Sequence, residues 1–195
     1  MNVVSDAPTP PVRRRNAAAT RQAILDAAVA AFTRSGYGGV GVREIAQAAG
    51  VTAMLVNRYF GSKEQLFAEA VDTAFAPRTV VGGQPGSLAR DTAATLAART
   101  APGADHLGPF LLMLRSVSDP RAAEIVRAAT ERHVGRHLAE RLDGPHAQER
   151  ADLVLSVIAG VWLMRTVMGT TALTTADETE LARRLERVFT VLMTP

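Results

Sequence analysis

The chain of 195 residues contains no cysteine. Disulfide frameworks, thiolate zinc sites and cysteine nucleophiles are therefore excluded. Long apolar runs are also missing, because the densest stretch, residues 153–168, is interrupted by Ser156, Gly160 and Arg165 and falls short of the ~18 residues that a membrane helix needs. The N-terminal residues show no apolar segment followed by a small-residue cleavage site, so we expect no secretory signal, no membrane contact and a cytoplasmic protein.

Lysine is nearly absent, since arginine supplies 21 of the 22 basic residues and the single lysine is Lys63. The net charge of +3 is also unevenly distributed along the chain. Residues 1–63 hold eight basic and three acidic residues, whereas residues 64–195 hold fourteen basic and sixteen acidic residues. A basic front end on a nearly neutral body predicts a polyanionic partner at one end of the molecule only.

The apolar residues recur at helical spacing, and no stretch alternates with period two for long enough to be a strand. The sequence therefore predicts an all-α fold of about nine helices. Eight of them are expected over residues 16–35, 42–49, 52–59, 62–75, 88–99, 105–117, 119–142 and 146–168. The last is expected to start at a capping box formed by Thr175 and Glu178.

Composition divides the chain into three parts. Residues 1–15 are expected to be a disordered arm that ends in three arginines, either a solvated terminus or a phosphate-binding arm. Residues 16–62 are expected to be the head domain, and residues 63–195 a helical body. The segment PRTVVGGQPGS, residues 77–87, is the clearest loop and boundary in the chain.

Two short predicted helices within residues 42–60 have the spacing of a helix-turn-helix motif. Ala46 is small where the two helices must approach, and Gly50 lies at the turn. Val51 and Val56 would fill the space between the helices, which leaves the opposite face of the second helix free. Such a helix fits the DNA major groove, although two short helices packed in a bundle would show the same spacing.

The residues after this motif favour DNA as the partner. The free face of the second helix carries side chains that can donate to bases or phosphates, namely Asn57, Arg58 and Tyr59. Ser62 and Gln65 form a capping box that opens the next helix. Lys63 lies at this helix N-terminus, where free amides and the positive end of the helix dipole favour a phosphate.

Residues from about 20 to 75 resemble the DNA-binding domain of the TetR family of bacterial transcriptional repressors. The resemblance runs through TRQAILDAAVAAFTRSGY, VREIAQAAGV and RYFGSKEQLFAEAV, and the run from Tyr59 to Phe67 is its most specific part. It implies a three-helix DNA-binding head and a larger helical body that binds a ligand and dimerises. The segment LVLSVIAGVWLMR and the amphipathic helix that follows it are similar to the end of such a regulator.

The resemblance implies roles for individual residues of the head. Arg43, Tyr59 and Lys63 match contacts to the DNA backbone. Thr52 and Ala53 match the start of the recognition helix. The positions expected to meet base edges are Met54, Asn57 and Arg58.

Two positions of the head depart from the family pattern. Gly41 stands where the family usually has Ser or Thr as the cap of the second helix, so one phosphate contact is expected to be missing. The run of residues 55–57, Leu-Val-Asn, replaces the more frequent Thr-Leu-Tyr. Leu55 is therefore expected to contact a thymine methyl group rather than to form a hydrogen bond.

The last two long helices carry apolar stripes that either pack inward or meet a second copy of the chain. One stripe comprises Leu153, Val157, Val161 and Met164, with Gly160 permitting close approach, and the other comprises Leu181, Leu185, Val188 and Leu192. We expect these residues to form a homodimer interface, because a dimer presents two recognition helices to a palindrome.

A ligand cavity is expected between the middle helices. Its candidate lining residues are Phe110, Met113, Leu114, His133, His137, Trp162 and Met168, most of which are also ordinary core residues. The two histidines lie four residues apart near Glu140, a spacing that can hold a divalent metal, but three arginines surround them. We therefore expect neither a metal nor a cofactor.

The sequence favours a DNA-binding repressor released from a palindromic operator by a small molecule. An effector-independent DNA-binding protein would share the same head and differ only in the body. An enzyme is not expected, because the chain has no glycine-rich phosphate loop after a strand and no paired carboxylates. Its four histidines also lack a nucleophile at readable spacing.

Overall fold

The computed structural model describes residues 12–75, 85–104 and 108–195. This part of the chain is helical and contains no strand, which confirms the predicted all-α fold. The first helices are α1 (Val12–Ser35), α2 (Val42–Ala48), α3 (Ala53–Phe60), α4 (Lys63–Phe75) and, after a 3-10 turn at Pro85–Ser87, α5 (Leu88–Arg99).

Three further helices form much of the body, and two of them contain a π-helical segment. The first is α6 (Gly108–Ser116). Helix α7 consists of Pro120–Thr130, the π-helical stretch Glu131–Gly135 and Arg136–Ala139. Helix α8 consists of Ala147–Val161 and the π-helical stretch Trp162–Val167. The chain ends with α9 (Thr171–Thr174) and α10 (Glu178–Met193). The described residues thus contain the nine predicted helices and one more, the single turn α9.

Side-chain caps explain why several helices begin where they do. The Ser62 hydroxyl accepts a hydrogen bond of 3.2 Å from the backbone amide of Gln65, which confirms the cap predicted for α4. The final helix differs from its prediction, because its cap is Asp177, whose carboxylate accepts the Glu180 amide at 2.9 Å. The Thr175 hydroxyl instead donates to the carbonyl of Thr171 at 2.8 Å, so no box with Glu178 forms.

The chain's N-terminal helix is longer than its apolar spacing predicted. It begins at Val12 rather than at residue 16, so the backbone of Arg13, Arg14 and Arg15 is part of α1. The rest of the predicted arm and most of the predicted loop 77–87 lie outside the described residues.

The first core joins α1, α2 and α3 to one face of α4, and it also includes buried residues of α6 and α7, namely Leu112, Ala122, Val126 and Ala129. Phe32, Ile45, Val56 and Phe67 are buried in it, and the Phe32 and Phe67 rings meet edge to face with centroids 5.0 Å apart. The buried side of α4 therefore packs against both the head and the body helices α6 and α7, and a boundary at residues 62–63 would pass through this core.

The second core belongs to the body. The inner face of α10 packs along α5, and α8 lies beside them. Leu96, Leu138, Val154 and Phe189 are among its fully buried residues. This core is separate from the cluster in the head.

Helix α6 connects the body to the head through polar contacts as well as apolar ones. The Arg115 guanidinium donates to the carbonyls of Thr33 and Arg34, at 2.7 and 2.9 Å, and so closes the C-terminus of α1. The amide of Tyr37 donates to the Ser116 hydroxyl at 3.1 Å. Gly36 lies between them with φ +70°, and a Cβ there would meet the Arg115 carbonyl oxygen at 2.2 Å. The end of α6 is therefore closely fitted to the loop after α1.

A carboxylate at the end of α4 makes a second connection. Asp72 accepts hydrogen bonds from Arg132 at 3.0 Å and lies 2.9 Å from Nε2 of His133. Both partners belong to the π-helical stretch of α7. Within the part of the chain that is described, no helix is both long and apolar enough to cross a bilayer.

Candidate DNA-binding surface and effector body

Helices α2 and α3 form the helix-turn-helix that the sequence predicts. Gly50 adopts φ +67°, a left-handed conformation that glycine accommodates without strain. The next amide, that of Val51, donates to the carbonyl of Ala46 at 2.9 Å and closes the turn. Val56 is buried against the head core, so the opposite face of α3 is turned outward.

The caps of these two helices differ from each other. Thr52 caps α3, where its hydroxyl accepts the Leu55 amide at 3.4 Å. Gly41 caps α2 with its backbone alone and provides no side-chain hydrogen bond. The start of α2 therefore has no hydroxyl to offer a phosphate, as the departure from the family pattern predicted.

The residues predicted to meet DNA differ in exposure, and two of the half-buried ones, Ala53 and Tyr59, pack against the first core. Those that are exposed are Arg43, Thr52, Met54, Asn57 and Arg58. Those that are half-buried are Ala53, Leu55, Tyr59 and Lys63. Met54 is 80% exposed.

Lys63 is held in place by an aromatic ring. Its Nζ atom lies 4.3 Å from the centroid of Tyr37, the distance of a cation–π contact. Burial raises the pKa of the Tyr37 phenol, and the nearby Glu64 carboxylate raises it further, so the ring stays neutral beneath the ammonium. The lysine thus lies at the first position of α4 with its ammonium group over the Tyr37 ring.

Arg21 is a residue of the head that the sequence reasoning missed. Its guanidinium carbon lies 4.6 Å from the centroid of Phe60, the last residue of α3. The same side chain forms an ion pair with Glu69 of α4. Arg21 therefore connects α1 to both helices beside the recognition surface, a relation between distant residues that no local pattern reveals.

Only two of the predicted ligand-binding residues form a ring contact with each other. Phe110 of α6 stacks on Trp162 of α8, with centroids 6.1 Å apart and planes inclined by 22°. Trp162 is buried, whereas Phe110 and Leu114 are half-buried. Met113 is also half-buried, but it packs against the head core.

The other predicted ligand-binding residues lie apart from this stack. His133 faces Asp72 of α4, as described above. His137 is exposed and pairs with Glu140 at 3.6 Å, and Met168 is 63% exposed. The two histidines take different carboxylate partners, and the π-helical stretch ends between them. No group of three metal-ligating residues occurs among the described residues.

A cleft of about 330 Å³ lies in the body. It is bordered by the start of α5, the loop between α7 and α8, and the end of α10. None of the predicted ligand-binding residues lines it.

The residues of the two apolar stripes predicted for dimerisation differ in their exposure to solvent. Leu153, Met164 and Val188 are exposed, at 46%, 38% and 44%. Val157, Val161 and Leu192 are half-buried. Leu181 and Leu185 differ from the prediction, because α10 turns them inward into the body core, where each is only 7% exposed.

The outward face of α10 presents another residue instead. Val191 is 76% exposed and lies one turn after Val188. It lies outside the regular stripe of leucines, so the apolar periodicity did not predict its place on this face.

Comparison with known proteins agrees with this architecture. Residues 24–70 match the family model described as bacterial regulatory proteins, tetR family. Residues 87–193 match the model described as tetracyclin repressor-like, C-terminal domain. Together these models cover most of the head and body.

Individual relatives point the same way. The HTH-type transcriptional regulatory protein RaaS of Mycobacterium tuberculosis is 58% identical over 43 residues, which are 22% of this chain and 20% of that protein. A TetR-family transcriptional regulator from Rhodococcus sp. shares the fold, with a TM-score of 0.68 at 18% identity, over 90% of this chain and 98% of the other. The multidrug binding protein EbrR, solved in complex with ethidium, has a TM-score of 0.67 at 24% identity, over 90% and 99%.

These findings also agree with the helix-turn-helix and with the sequence prediction that the chain is not an enzyme. The model for the C-terminal domain alone spans more than half of the chain. The chain belongs to the TetR family of DNA-binding transcriptional regulators.

Proposed function

We propose that this protein is a cytoplasmic repressor that binds a palindromic operator as a homodimer and releases it when a small molecule occupies the body. The observation that carries the proposal is the outward face of α3 beside the supported lysine at the start of α4. A helix presented in this way enters the major groove, while the adjacent helix N-terminus meets the DNA backbone.

Base recognition is assigned to the exposed side of α3. Asn57 is suited to adenine, because a carboxamide pairs with two groups on that base edge. Arg58 is suited to guanine for the same reason. Met54 and Leu55 can contact thymine methyl groups, whereas Arg43, Thr52, Ala53 and Tyr59 complete the surface at the backbone and at the helix start.

Dimerisation is assigned to the outward apolar face of α8 and α10. It comprises Leu153, Val157, Val161, Met164, Val188, Val191 and Leu192. A second copy on this face would cover the parts of these side chains that are exposed to water, at about 25 cal/mol for each Å² of apolar surface buried. It would also give the operator two recognition helices, and half-sites about one DNA turn apart require this arrangement.

Release of DNA is assigned to α6, because this helix contacts both the proposed effector site and the loop that supports the DNA-binding surface. Phe110 near its start stacks on Trp162, and Ser116 at its end bonds the amide of Tyr37. A ligand that displaces Phe110 would shift α6 and with it the loop that supports Lys63. A coupling of about 1–3 kcal/mol changes operator affinity 5- to 150-fold.

The test is a fluorescence anisotropy titration of the full chain against the DNA upstream of its own gene, with a shuffled duplex as control. We expect sequence-selective binding at moderate salt, with a stoichiometry of two chains for each operator. Equal affinity for both duplexes would contradict the proposal.

Effector dependence is tested by a thermal-shift screen over apolar metabolites and drugs. A true effector raises the melting temperature of the free protein and lowers its affinity for the operator. Compounds that raise the melting temperature without changing DNA binding would instead favour an effector-independent regulator.

A further inference from the structure

Arg165 carries a buried positive charge on the same π-helical segment as Trp162. Its side chain is only 3% exposed. Burying a guanidinium is costly unless a carboxylate or a full set of acceptors satisfies it. Its partners therefore show what else it is able to bind.

Among the described residues, the acceptors of this guanidinium are all neutral. Nη1 donates to the carbonyl of Ala97 at 2.7 Å and to the hydroxyl of Thr100 at 2.9 Å, and Nε donates to the carbonyl of Leu173 at 3.0 Å. An arginine has five N–H donors, and these bonds use three of them. Across residues 12–75, 85–104 and 108–195, Arg165 pairs with no carboxylate and Nη2 has no acceptor.

The next residue along the chain carries a second unpaired polar group. The Thr166 hydroxyl is buried and has no hydrogen-bond partner among the described residues. In a π-helix, whose hydrogen bonds join residues five apart, side chains about four positions apart share a face. Thr166 is thus on the same face as Trp162, whose ring stacks on Phe110. π-Helical turns frequently accompany functional sites.

We propose that Arg165 is the anion-binding residue of the effector site and that the effector of this chain is an apolar or aromatic carboxylate. Nη2 of Arg165 donates to the carboxylate, the Thr166 hydroxyl donates to its second oxygen, and the apolar part lies against Trp162 and Phe110. This inference rests on the effector site assigned above. It also predicts that planar cations such as ethidium, the ligand in the EbrR structure, bind this body poorly.

Trp162 provides the readout, because it is the only tryptophan of the chain. Three probes of one shape and different charge are titrated into the full-length wild type while its emission is followed: phenylbutyrate, phenylbutyramide and phenylbutylamine. We expect phenylbutyrate to bind at least about tenfold more tightly than the amide, and the amine to bind most weakly. Equal affinities, tighter binding of the amine, or no response to any probe would overturn the proposal.

Variants assign the preference to a side chain. Arg165→Gln should abolish the advantage of phenylbutyrate over the amide, Arg165→Lys should keep part of it, and the exposed control Arg136→Gln should keep all of it. Circular dichroism must confirm that the Arg165 variants fold, because Arg165 also joins α5 to Leu173.

If Arg165→Gln does not fold, Thr166→Val provides a second test of which side chains bind the carboxylate. It should weaken phenylbutyrate severalfold and leave phenylbutylamine unchanged. An unchanged preference in both Arg165→Lys and Thr166→Val would count against these two residues. A protein that binds its operator but shows no charge preference would refute this inference alone, whereas loss of selective DNA binding in the wild type would refute the proposed function.

Discussion

The ammonium nitrogen of Lys63 lies 4.3 Å from the centre of the Tyr37 ring. The backbone of Tyr37 is in turn bonded to Ser116 at the end of α6, so the lysine proposed to grip phosphate rests on a ring that the body holds. A change in the body is therefore able to reach the DNA surface without altering α3 itself.

Replacing Tyr37 by leucine should remove the ring and leave Lys63 free to move. We expect a roughly two- to fivefold loss of affinity for all DNA sequences, in line with a cation–π contact of about 0.5–1 kcal/mol. Tyr37→Phe keeps the ring and should bind DNA nearly as well as the wild type in anisotropy titrations. Equal losses in the two variants would show that the hydroxyl, not the ring, is what counts.

Asn57 and Lys63 should give different binding defects. Lys63→Ala should weaken binding to every sequence and reduce the salt dependence, because a phosphate contact releases counterions. Asn57→Ala should mainly reduce discrimination between operator and shuffled DNA, by about 1–3 kcal/mol at its base pair. Titrations at several salt concentrations measure both effects, and identical profiles for the two variants would reverse these assignments.

Gly36 should tolerate no side chain. Alanine there would combine φ +70° with a Cβ 2.2 Å from the carbonyl oxygen of Arg115. We expect Gly36→Ala to lower the free energy of unfolding by about 1–3 kcal/mol. Gly38→Ala is the matched control, since a Cβ at that position meets nothing within 4 Å, and it should change stability by less than about 1 kcal/mol. Urea denaturation that ranks the two variants alike would contradict the close fit of α6 against the loop after α1.

Val191 should be needed for dimerisation but not for folding. A charge placed by Val191→Asp would be buried against a second copy of the chain, at a cost of several kcal/mol. We expect a monomer in light scattering and weaker binding to the palindrome. Val117→Asp, at a residue that is 43% exposed at the end of α6, should remain dimeric. A dimeric Val191→Asp variant would place the interface elsewhere.

The start of α4 should become less stable in acid. A backbone amide, and after it the Ser62 hydroxyl, hold the pKa of Glu64 below its ordinary 4.5. A lowered pKa in the folded state stabilises the protein above the unfolded pKa, and this contribution is lost as the pH falls through the folded value. The stability difference between wild type and Glu64→Gln should therefore shrink as the pH is lowered from neutral to below 4.5, measured by urea denaturation. A difference independent of pH would show that the carboxylate charge contributes nothing.

Local signals along the chain were sufficient for the helices and for the helix-turn-helix. The turn at Gly50, the cap at Ser62 and the apolar spacing of α1 each act over a few residues, so their effects can be predicted without knowing the fold. Thr175 shows the limit of such reading, because Asp177 was an equally good cap two residues later and formed the bond.

Contacts between distant residues needed the tertiary structure. A stripe such as Leu181 and Leu185 shows that a helix has an apolar face, but periodicity is the same whether that face meets α5 or a second copy of the chain. Three other contacts also join residues far apart in sequence: Lys63 lies over the Tyr37 ring, Arg21 lies over the Phe60 ring, and Arg165 bonds the end of α5. The sequence by itself thus determined the helices and the DNA-binding motif, because hydrogen bonds and caps within a helix are local. The packing of the helices decided which side chains support the lysine, which leucines face inward and which arginine is buried, because burial depends on neighbours that the linear order does not specify.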